Sequence, residues 1–271
     1  MANKRHENRR RPPFCLAEKF GFVALASAAI LVFIAWNLAL IPLLLFLLLC
    51  CTAPFVPSLA FFMPVISRAR HGQKGIALTF DDGPDPVSTP VLLKLLAKYN
   101  IQATFFVVGL RAAKYPELIV EILAHGHSIG NHSWDHDYFL MLRSTARLHE
   151  NILKTQKVLK QAGIAPYVFR APMGITSPRL DRVLQQEGLI AVNYSCRAFD
   201  RGNRNIHNLA AKILNKLKPG DIIMLHDLPP KQEQQMVILQ QELDHLIGSL
   251  AAHHSIAPLA DIICRPVMEK N

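Results

Sequence analysis

The stretch from residue 20 to residue 67 contains no Lys, Arg, Asp or Glu. A transmembrane helix needs about 20 apolar residues, so this stretch is long enough for two closely spaced helices. Asn37 lies near the expected break between them, and Pro42 suits the first turn of the second helix. A cleaved signal peptide is the alternative, but the apolar region of such peptides spans only about 7–15 residues. Residues 20–67 are therefore predicted to form a membrane anchor of two helices.

Basic residues flank this stretch on both sides. Residues 1–19 form a tail that the positive-inside rule places in the cytoplasm, because it contains Lys4, Arg5, Arg9, Arg10, Arg11 and Lys19. Arg68, Arg70 and Lys74 follow the stretch. Two spans would return the chain to the cytoplasm, whereas one long tilted span would place it outside. We favour two spans, which predicts an integral protein of the cytoplasmic (inner) membrane with its later domain on the cytoplasmic side.

The net charge of +10 raises the question of an anionic partner. No nucleic-acid motif accompanies the charge, and attraction of the basic tail to anionic lipid explains it better. We therefore expect membrane lipid as a partner and no nucleic acid. The five cysteines show neither a disulfide framework nor a paired metal-binding spacing.

Two adjacent carboxylates, Asp81 and Asp82, follow an apolar, strand-like run at residues 76–80 and precede a Gly-Pro turn. Like charges side by side repel, and a bound cation is the commonest compensation. Such a cation would use one carboxylate as a ligand and leave the other free as a base. A solvated turn is the alternative, because Asp-Gly-Pro is ordinary turn chemistry.

His132 and His136 are four positions apart in the sequence. On a helical turn this spacing places both imidazoles on one face, where they can share an ion. With Asp82 they would form a set of two histidines and one carboxylate, which leaves positions open for water and substrate. Taken without Asp82, the pair could also be two surface or core histidines that bind no metal.

Three more apolar runs end in residues of catalytic type, namely Arg170, Asp200 and His226. Helical patterns separate the runs, at residues 90–99, 116–124, 144–161, 178–187, 209–217 and 232–253. This alternation predicts an α/β fold with a parallel sheet or barrel. The carboxyl ends of parallel barrel strands open on one face, so the polar residues are expected to meet there.

These segments, in this order, resemble the motifs of the NodB-like polysaccharide deacetylases (carbohydrate esterase family four). The resemblance covers residues 74–265 and rests chiefly on Thr-Phe-Asp-Asp-Gly-Pro at residues 79–84 and His-x-x-x-His at residues 132–136. It implies a deacetylase domain with a distorted (β/α) barrel, preceded here by the transmembrane segment or hairpin. It also implies metal-dependent removal of an acetyl group from an N-acetylated sugar.

The resemblance implies a metal centre with a base beside it. Asp82, His132 and His136 resemble the ligands of one divalent metal ion, for which we expect zinc. Asp81 resembles the general base, and Arg170 resembles the arginine that holds this base.

The resemblance also implies an acid and a substrate pocket. His226 resembles the general acid, Asp200 the aspartate that tunes it, and Met224 the apolar residue that lines the acetyl pocket. Met173 stands where the family often has Tyr, but the backbone N–H expected to serve the oxyanion is retained. Arg201 stands where the family often has Trp. A guanidinium there favours an anionic substrate, such as a phosphate-linked sugar, over a neutral glycan.

The predicted function is therefore a metal-dependent hydrolase that removes an N-acetyl group from an amino sugar on a glycan or a lipid-linked saccharide. Two alternatives stay open, a deformylase of a lipid-linked amino sugar and a catalytically silent sugar-binding anchor protein. The catalytically silent alternative is disfavoured because such a protein would be expected to lose buried charges, which are costly. This chain retains Asp81, Asp82, His132, His136 and His226.

Overall fold

The structure is a computed structural model that describes residues 14–53, 56, 59–69 and 75–270. Most of the basic residues from which the membrane orientation is predicted lie outside the described residues, namely Lys4, Arg5, Arg9, Arg10, Arg11, Arg70 and Lys74.

Short strands alternate with helices from residue 77 onwards. The strands are β1 (Ala77–Asp81), β2 (Thr104–Val107), β3 (Ser128–Asn131), β4 (Ile164–Pro166), β5 (Val168–Phe169), β6 (Ile190–Ala191), β7 (Cys196–Arg197), β8 (Ile222–His226) and β9 (Met268–Lys270). Seven of them form a parallel sheet in the order β6-β5-β3-β2-β1-β8-β7, and β4 and β9 form a separate antiparallel pair.

One chain segment joins the two edges of the sheet. β6 pairs with β5 at one edge, and β7, which follows within the same segment, pairs with β8 at the other. Ser195 lies between them and already donates its N–H to the carbonyl oxygen of Ile222 at 3.1 Å. The sheet therefore curls into a distorted barrel, and the predicted fold class is confirmed.

Helices cover the outside of the sheet and precede it. They are α1 (Leu16–Ile34), α2 (Leu40–Thr52), α3 (Ser88–Lys98), α4 (Gly109–Lys114), α5 (Pro116–Ala124), α6 (Thr145–Gln161), α7 (Pro178–Gln186), α8 (Leu209–Leu214), α9 (Gln235–His253) and α10 (Leu259–Ile263). The helices predicted from the sequence are confirmed as α3 and α5 to α9, with small differences at their ends.

The alternation of side chains along β1 fixes which residues face the barrel interior. Leu78 and Phe80 are buried in the large core cluster that also contains Leu92 of α3 and Leu246 of α9. Burying one such side chain contributes about 1.5–3 kcal/mol. A one-residue shift of register would turn these side chains inward. Successive side chains of a strand point to opposite faces, so Asp81, which follows Phe80, faces the barrel interior at the carboxyl end of β1.

The sequence pattern does not predict β3, the strand that precedes both histidines. Its sequence Ser-Ile-Gly-Asn contains one residue typical of strands, Ile129, beside Gly and Asn, which strands disfavour. Gly130 is required there, because a Cβ would lie 2.6 Å from the ring atom Cδ1 of Phe106. Tertiary packing therefore selects this strand.

The two N-terminal helices form a hairpin. The N-terminal end of α1 and the chain beyond α2 meet where Ala17 donates its N–H to the carbonyl oxygen of Phe61 at 3.0 Å. α1 is long and apolar enough to cross a membrane, as an anchor or a signal sequence would be. α2 has 13 residues, fewer than the roughly 20 that a straight span needs.

The folded domain also includes residues on both sides of the segment 74–265. Met63 is buried in a core cluster with Leu140 and Leu180. Ile66 pairs with Val192 beside β6. β9 pairs with β4 near the C-terminus. The boundaries of the anchor and of the deacetylase domain stay predictions.

Candidate active site

Asp81 and Asp82 lie where β1 ends, and their side chains diverge. Asp81 is the last residue of β1 and is only 4% exposed. Asp82 adopts a left-handed backbone conformation with φ of 75°, which is uncommon for a residue other than glycine. The two neighbouring carboxylates thereby reach different partners, an arginine for Asp81 and two histidines for Asp82.

Arg170 is fully buried and holds Asp81. Its Nη1 atom donates to Oδ1 of Asp81 and to the hydroxyl of Thr79, each at 2.7 Å. Its other nitrogens donate to the carbonyl oxygens of Val192 at 3.1 Å and Asn193 at 3.0 Å. The fixed fork of the guanidinium suits such a set of acceptors. Asp81 is consequently held in one orientation.

Asp82, His132 and His136 form a compact cluster. Oδ1 of Asp82 lies 3.2 Å from Nε2 of His132 and 3.0 Å from Nε2 of His136. One donor atom from each residue lies within 4.8 Å of the others. Burial opposes ionisation of Asp82, but the hydrogen-bonding capacity and charge of the two histidines outweigh it and hold the pKa of Asp82 well below its usual range.

The expectation that the two histidines share a helical turn is wrong. Both lie in the irregular segment that follows β3. Ser133 has φ of 71° and His136 has φ of 53°, so the backbone turns sharply between the imidazoles. The rings still converge, with centroids 5.1 Å apart, because the turn replaces the helix in bringing them together.

The donor set fits a divalent cation. Nδ1 of His132 lies 2.8 Å from the carbonyl oxygen of Arg170, so this nitrogen donates and Nε2 is left to offer its lone pair to a metal. That lone pair faces Oδ1 of Asp82, a buried oxygen with no well-oriented hydrogen bond within the part of the chain that the structure describes. A metal cation between that nitrogen and Oδ1 would satisfy both atoms, and imidazole and carboxylate are ligands that zinc accepts.

His226 and Asp200 form the second ionisable pair of the site. Nδ1 of His226 lies 2.6 Å from Oδ2 of Asp200, which is 1% exposed. Burial lowers the pKa of His226, but the hydrogen bond to Asp200 and the negative charges of Asp200, Asp82 and Asp81 raise it to about 9. His226 is therefore cationic at neutral pH.

The three residues predicted to contact substrate lie at different depths. Met224 is 5% exposed and packs in the interior cluster with Phe106 and Tyr194. Met173 is 53% exposed and has φ of 60°, and a strained backbone of this kind is common at functional sites. Arg201 is exposed and also left-handed, with φ of 55°.

A cavity of about 600 Å³ opens beside Asp82 and His136. Its wall combines apolar and aromatic side chains with both acidic and basic ones, among them Asp85, Asp135, Arg111 and Lys114. This volume falls within the range of about 300–1,000 Å³ typical of ligand sites.

Asp227 is a buried acid of the site that the sequence analysis did not assign. It accepts hydrogen bonds from the hydroxyls of Ser88 at 2.7 Å and Thr89 at 2.6 Å, and its N–H donates to the carbonyl oxygen of Asp81 at 2.8 Å. A Cβ at Gly83 would overlap its carboxylate. Asp227 thus ties the loop after β1 to β8 and α3. In the sequence, its position directly after His226 could have identified Asp227 as part of the site.

Comparison with known proteins places this geometry in a family. The polysaccharide deacetylase family model matches residues 68–192. Over 178 residues the chain is 34% identical to a peptidoglycan-N-acetylglucosamine deacetylase of Bacillus cereus, in an alignment that covers 65% of this chain and 83% of that relative. The chain belongs to the polysaccharide deacetylase family.

Two further comparisons set the extent of the likeness to other polysaccharide deacetylases. The crystal structure of the Bc1960 peptidoglycan N-acetylglucosamine deacetylase superposes with a TM-score of 0.68 at 28% identity, covering 75% of this chain and 94% of that one. The peptidoglycan-N-acetylglucosamine deacetylase PgdA of Listeria monocytogenes is 37% identical over 175 residues, which are 64% of this chain. The chain spans only 36% of the length of that relative.

Proposed function

We propose that the protein is a divalent-metal-dependent hydrolase that removes the N-acetyl group from an amino sugar on a glycan or a lipid-linked saccharide. One observation carries the proposal. Two adjacent acids occupy separate environments, with Asp81 held by Arg170 and Asp82 facing His132 and His136. This division supplies a base and a metal ligand within one strand end. The names of the relatives support an N-acetylated amino sugar as substrate.

The metal centre would be held by Asp82, His132 and His136. When bound there, a divalent cation polarises the substrate carbonyl and lowers the pKa of a water molecule. We propose zinc, because three protein ligands of this kind leave an open position, as catalytic zinc sites do.

Asp81 would act as the general base. Arg170 occupies Oδ1 of Asp81, which leaves Oδ2 to accept a proton from the attacking water. The four acceptors around Arg170 fix its guanidinium, so the base is positioned before substrate arrives. The proposed oxyanion donor is the backbone N–H of Met173, in the loop that follows Arg170.

His226 would act as the general acid. Asp200 accepts from Nδ1, so Nε2 of the protonated ring is free to donate to the leaving nitrogen. The raised pKa of His226, about 9, keeps this proton in place at neutral pH. Met224 would line the acetyl pocket from its position two residues before His226, and Arg201 would contact the rest of the substrate.

We propose that α1 and α2 together anchor the protein in the cytoplasmic membrane as a hairpin and that the domain lies on the cytoplasmic side. The hairpin supports this arrangement, because the N-terminal end of α1 lies against Phe61 at the exit of the hairpin. The basic tail and the domain would then share one side of the membrane. A lipid-linked saccharide is the substrate that such a domain reaches.

A topology reporter tests the membrane arrangement. A reporter enzyme active only outside the cytoplasm is fused after Lys74, with the same fusion after Asn37 as the control. Activity at Asn37 and none at Lys74 is the expected result. Strong activity at Lys74 would place the domain outside and favour a polymeric glycan as substrate.

Analysis of the released acid tests the reaction. The purified protein is loaded with one equivalent of zinc and incubated with N-acetylglucosamine oligomers and with a polyprenyl-phosphate-linked N-acetyl amino sugar. Acetate and a free amine are expected from at least one of them. Formate release from an N-formyl analogue alone would favour a deformylase. Metal binding with no release from any substrate would favour a silent binding protein.

A further inference from the structure

Arg197 is a half-buried cation inside the barrel that the proposed mechanism does not use. Cys196 and Ala198, on either side of it, are buried in the outer core, so the side chain of Arg197 lies on the inner face of β7. On that face Arg197 is the register partner of Met224 on β8. It therefore lies at the level proposed for the acetyl pocket.

The guanidinium of Arg197 is held in place by two aromatic residues. Its Nη1 atom donates to the hydroxyl of Tyr194 at 3.0 Å. Its Cζ atom lies 4.1 Å from the ring centroid of Phe199, a distance typical of a stacked cation–π pair. These contacts fix the plane of the group while occupying one of its five N–H donors.

Arg197 has cationic neighbours but no acidic partner within the described ranges. Lys216 lies 5.0 Å from the same Phe199 ring centroid, and the exposed Arg201 follows shortly after in the chain. The ion pairs of the described residues include none of these three cations. Positive charge with no acidic partner beside the site favours a ligand that carries negative charge.

We propose that Arg197 is the centre of an anion-binding subsite that recognises a phosphate group carried by the amino-sugar substrate. Its unused donors suit two phosphate oxygens at once, and Lys216 and Arg201 add charge at the rim. A single carboxylate would leave more positive charge uncompensated. Phe199, which is 58% exposed, gives an apolar face to the same ligand. The inference rests on the proposed deacetylation, since it names the substrate class of that site.

Two kinds of substrate carry such a phosphate. One is a free N-acetyl amino-sugar 1-phosphate, and the other is the same sugar linked through phosphate to a polyprenyl chain. Both present the charge to Arg197 in the same way. The apolar hairpin α1–α2 would act only on the second, by holding the protein at the membrane.

Substrate selectivity of the zinc-loaded protein tests the subsite. The value of kcat/KM is measured for acetate release from four N-acetyl amino sugars: a neutral methyl glycoside, a 1-phosphate, a polyprenyl-phosphate-linked form and a carboxylate-bearing form. Because hydrogen bonds to a charged group are stronger than neutral ones, the native protein is expected to prefer the phosphorylated sugars over the neutral one by about 10- to 100-fold. Arg197→Gln should remove most of that preference, and mainly through KM.

Matched variants separate binding from folding. Arg197→Lys keeps the charge but loses the fork, so it should restore part of the preference. Arg182→Gln, an exposed arginine of α7, should leave the preference of the native protein intact. Thermal unfolding of each variant gives a readout independent of turnover.

Several outcomes would overturn the subsite. Equal loss on neutral and phosphorylated sugars in Arg197→Gln would make Arg197 a structural residue. A preference of the native protein for the carboxylate-bearing or neutral sugar would contradict the phosphate class. Acetate release with no preference refutes the subsite but leaves the deacetylation standing, whereas no release from any of the four overturns both.

Discussion

Asp81 and His226 occupy matched positions on neighbouring parallel strands, where β1 and β8 run in register. Each has one dedicated partner, Arg170 at 2.7 Å from Asp81 and Asp200 at 2.6 Å from His226. Arg170 fixes the orientation of Asp81, and against the effect of burial Asp200 is the main contributor that raises the pKa of His226 to about 9. The fold therefore places the proposed base and the proposed acid side by side, as hydrolysis of an amide requires.

Removing either group should slow the reaction without loss of metal. Asp81→Asn and His226→Ala are each expected to lower kcat by about 10²–10⁴, since general acid or base catalysis contributes that much. Zinc content, measured by mass spectrometry, should equal that of the native protein because neither side chain belongs to the Asp82 cluster. Near-native turnover in either variant would contradict its assigned role.

The alkaline limb of the pH–rate profile should report His226. Burial lowers the pKa of His226 and the carboxylate of Asp200 raises it, to a net value of about 9, so activity falls as pH rises through this value and the acid loses its proton. A divalent cation on Asp82 offsets part of the negative field, so the limb of the loaded enzyme lies somewhat lower. Asp200→Asn should move the limb to still lower pH. A limb in the same place in both proteins would exclude His226 as the acid.

The buried Asp227 should make stability depend on pH. Burial raises the pKa of Asp227 from 3.8 to about 7, against the hydrogen bonds from Ser88 and Thr89. Between these two values the folded protein binds more protons at this site than the unfolded chain does, so the free energy of unfolding falls as pH rises.

Asp227→Asn should remove that dependence. As pH rises from 5 to 8, the free energy of unfolding of the native protein should fall relative to that of the variant, because the native carboxyl ionises while the amide stays neutral. Urea unfolding at several pH values provides the measurement. Asp261→Asn, at an exposed position, serves as the control. A difference between native protein and Asp227→Asn that is constant with pH would refute the shift.

The parts of the site that follow apolar runs are those the sequence predicts best. A run of β-formers that stops at a polar residue identifies a strand end, and Asp81, Arg170 and His226 all follow such a signal. The parallel barrel then places these ends on one face without further information. Local pattern and topology agree at these positions.

The rest of the site depends on contacts between distant segments. The left-handed backbone at Asp82 and His136 has no sequence signature, because neither residue is glycine. From the sequence alone, Arg197 is one of several arginines in a segment that resembles a loop. Its register with Met224 places it inside the barrel. Asp227 reads as the polar end of β8, and only the hydroxyls of Ser88 and Thr89 show that it is buried.

The dependence of acetate release on metal shows whether the cluster of Asp82, His132 and His136 is a catalytic metal site. Acetate is measured by proton NMR for the zinc-loaded protein, the chelator-stripped protein, the stripped protein with zinc restored, and Asp82→Ala with zinc added. Only the first and third samples are expected to release acetate, since Asp82, His132 and His136 together would hold the ion. Release that survives both chelation and loss of Asp82, or no release by fully loaded protein from any N-acetyl amino sugar, would contradict the proposed metal-dependent deacetylation.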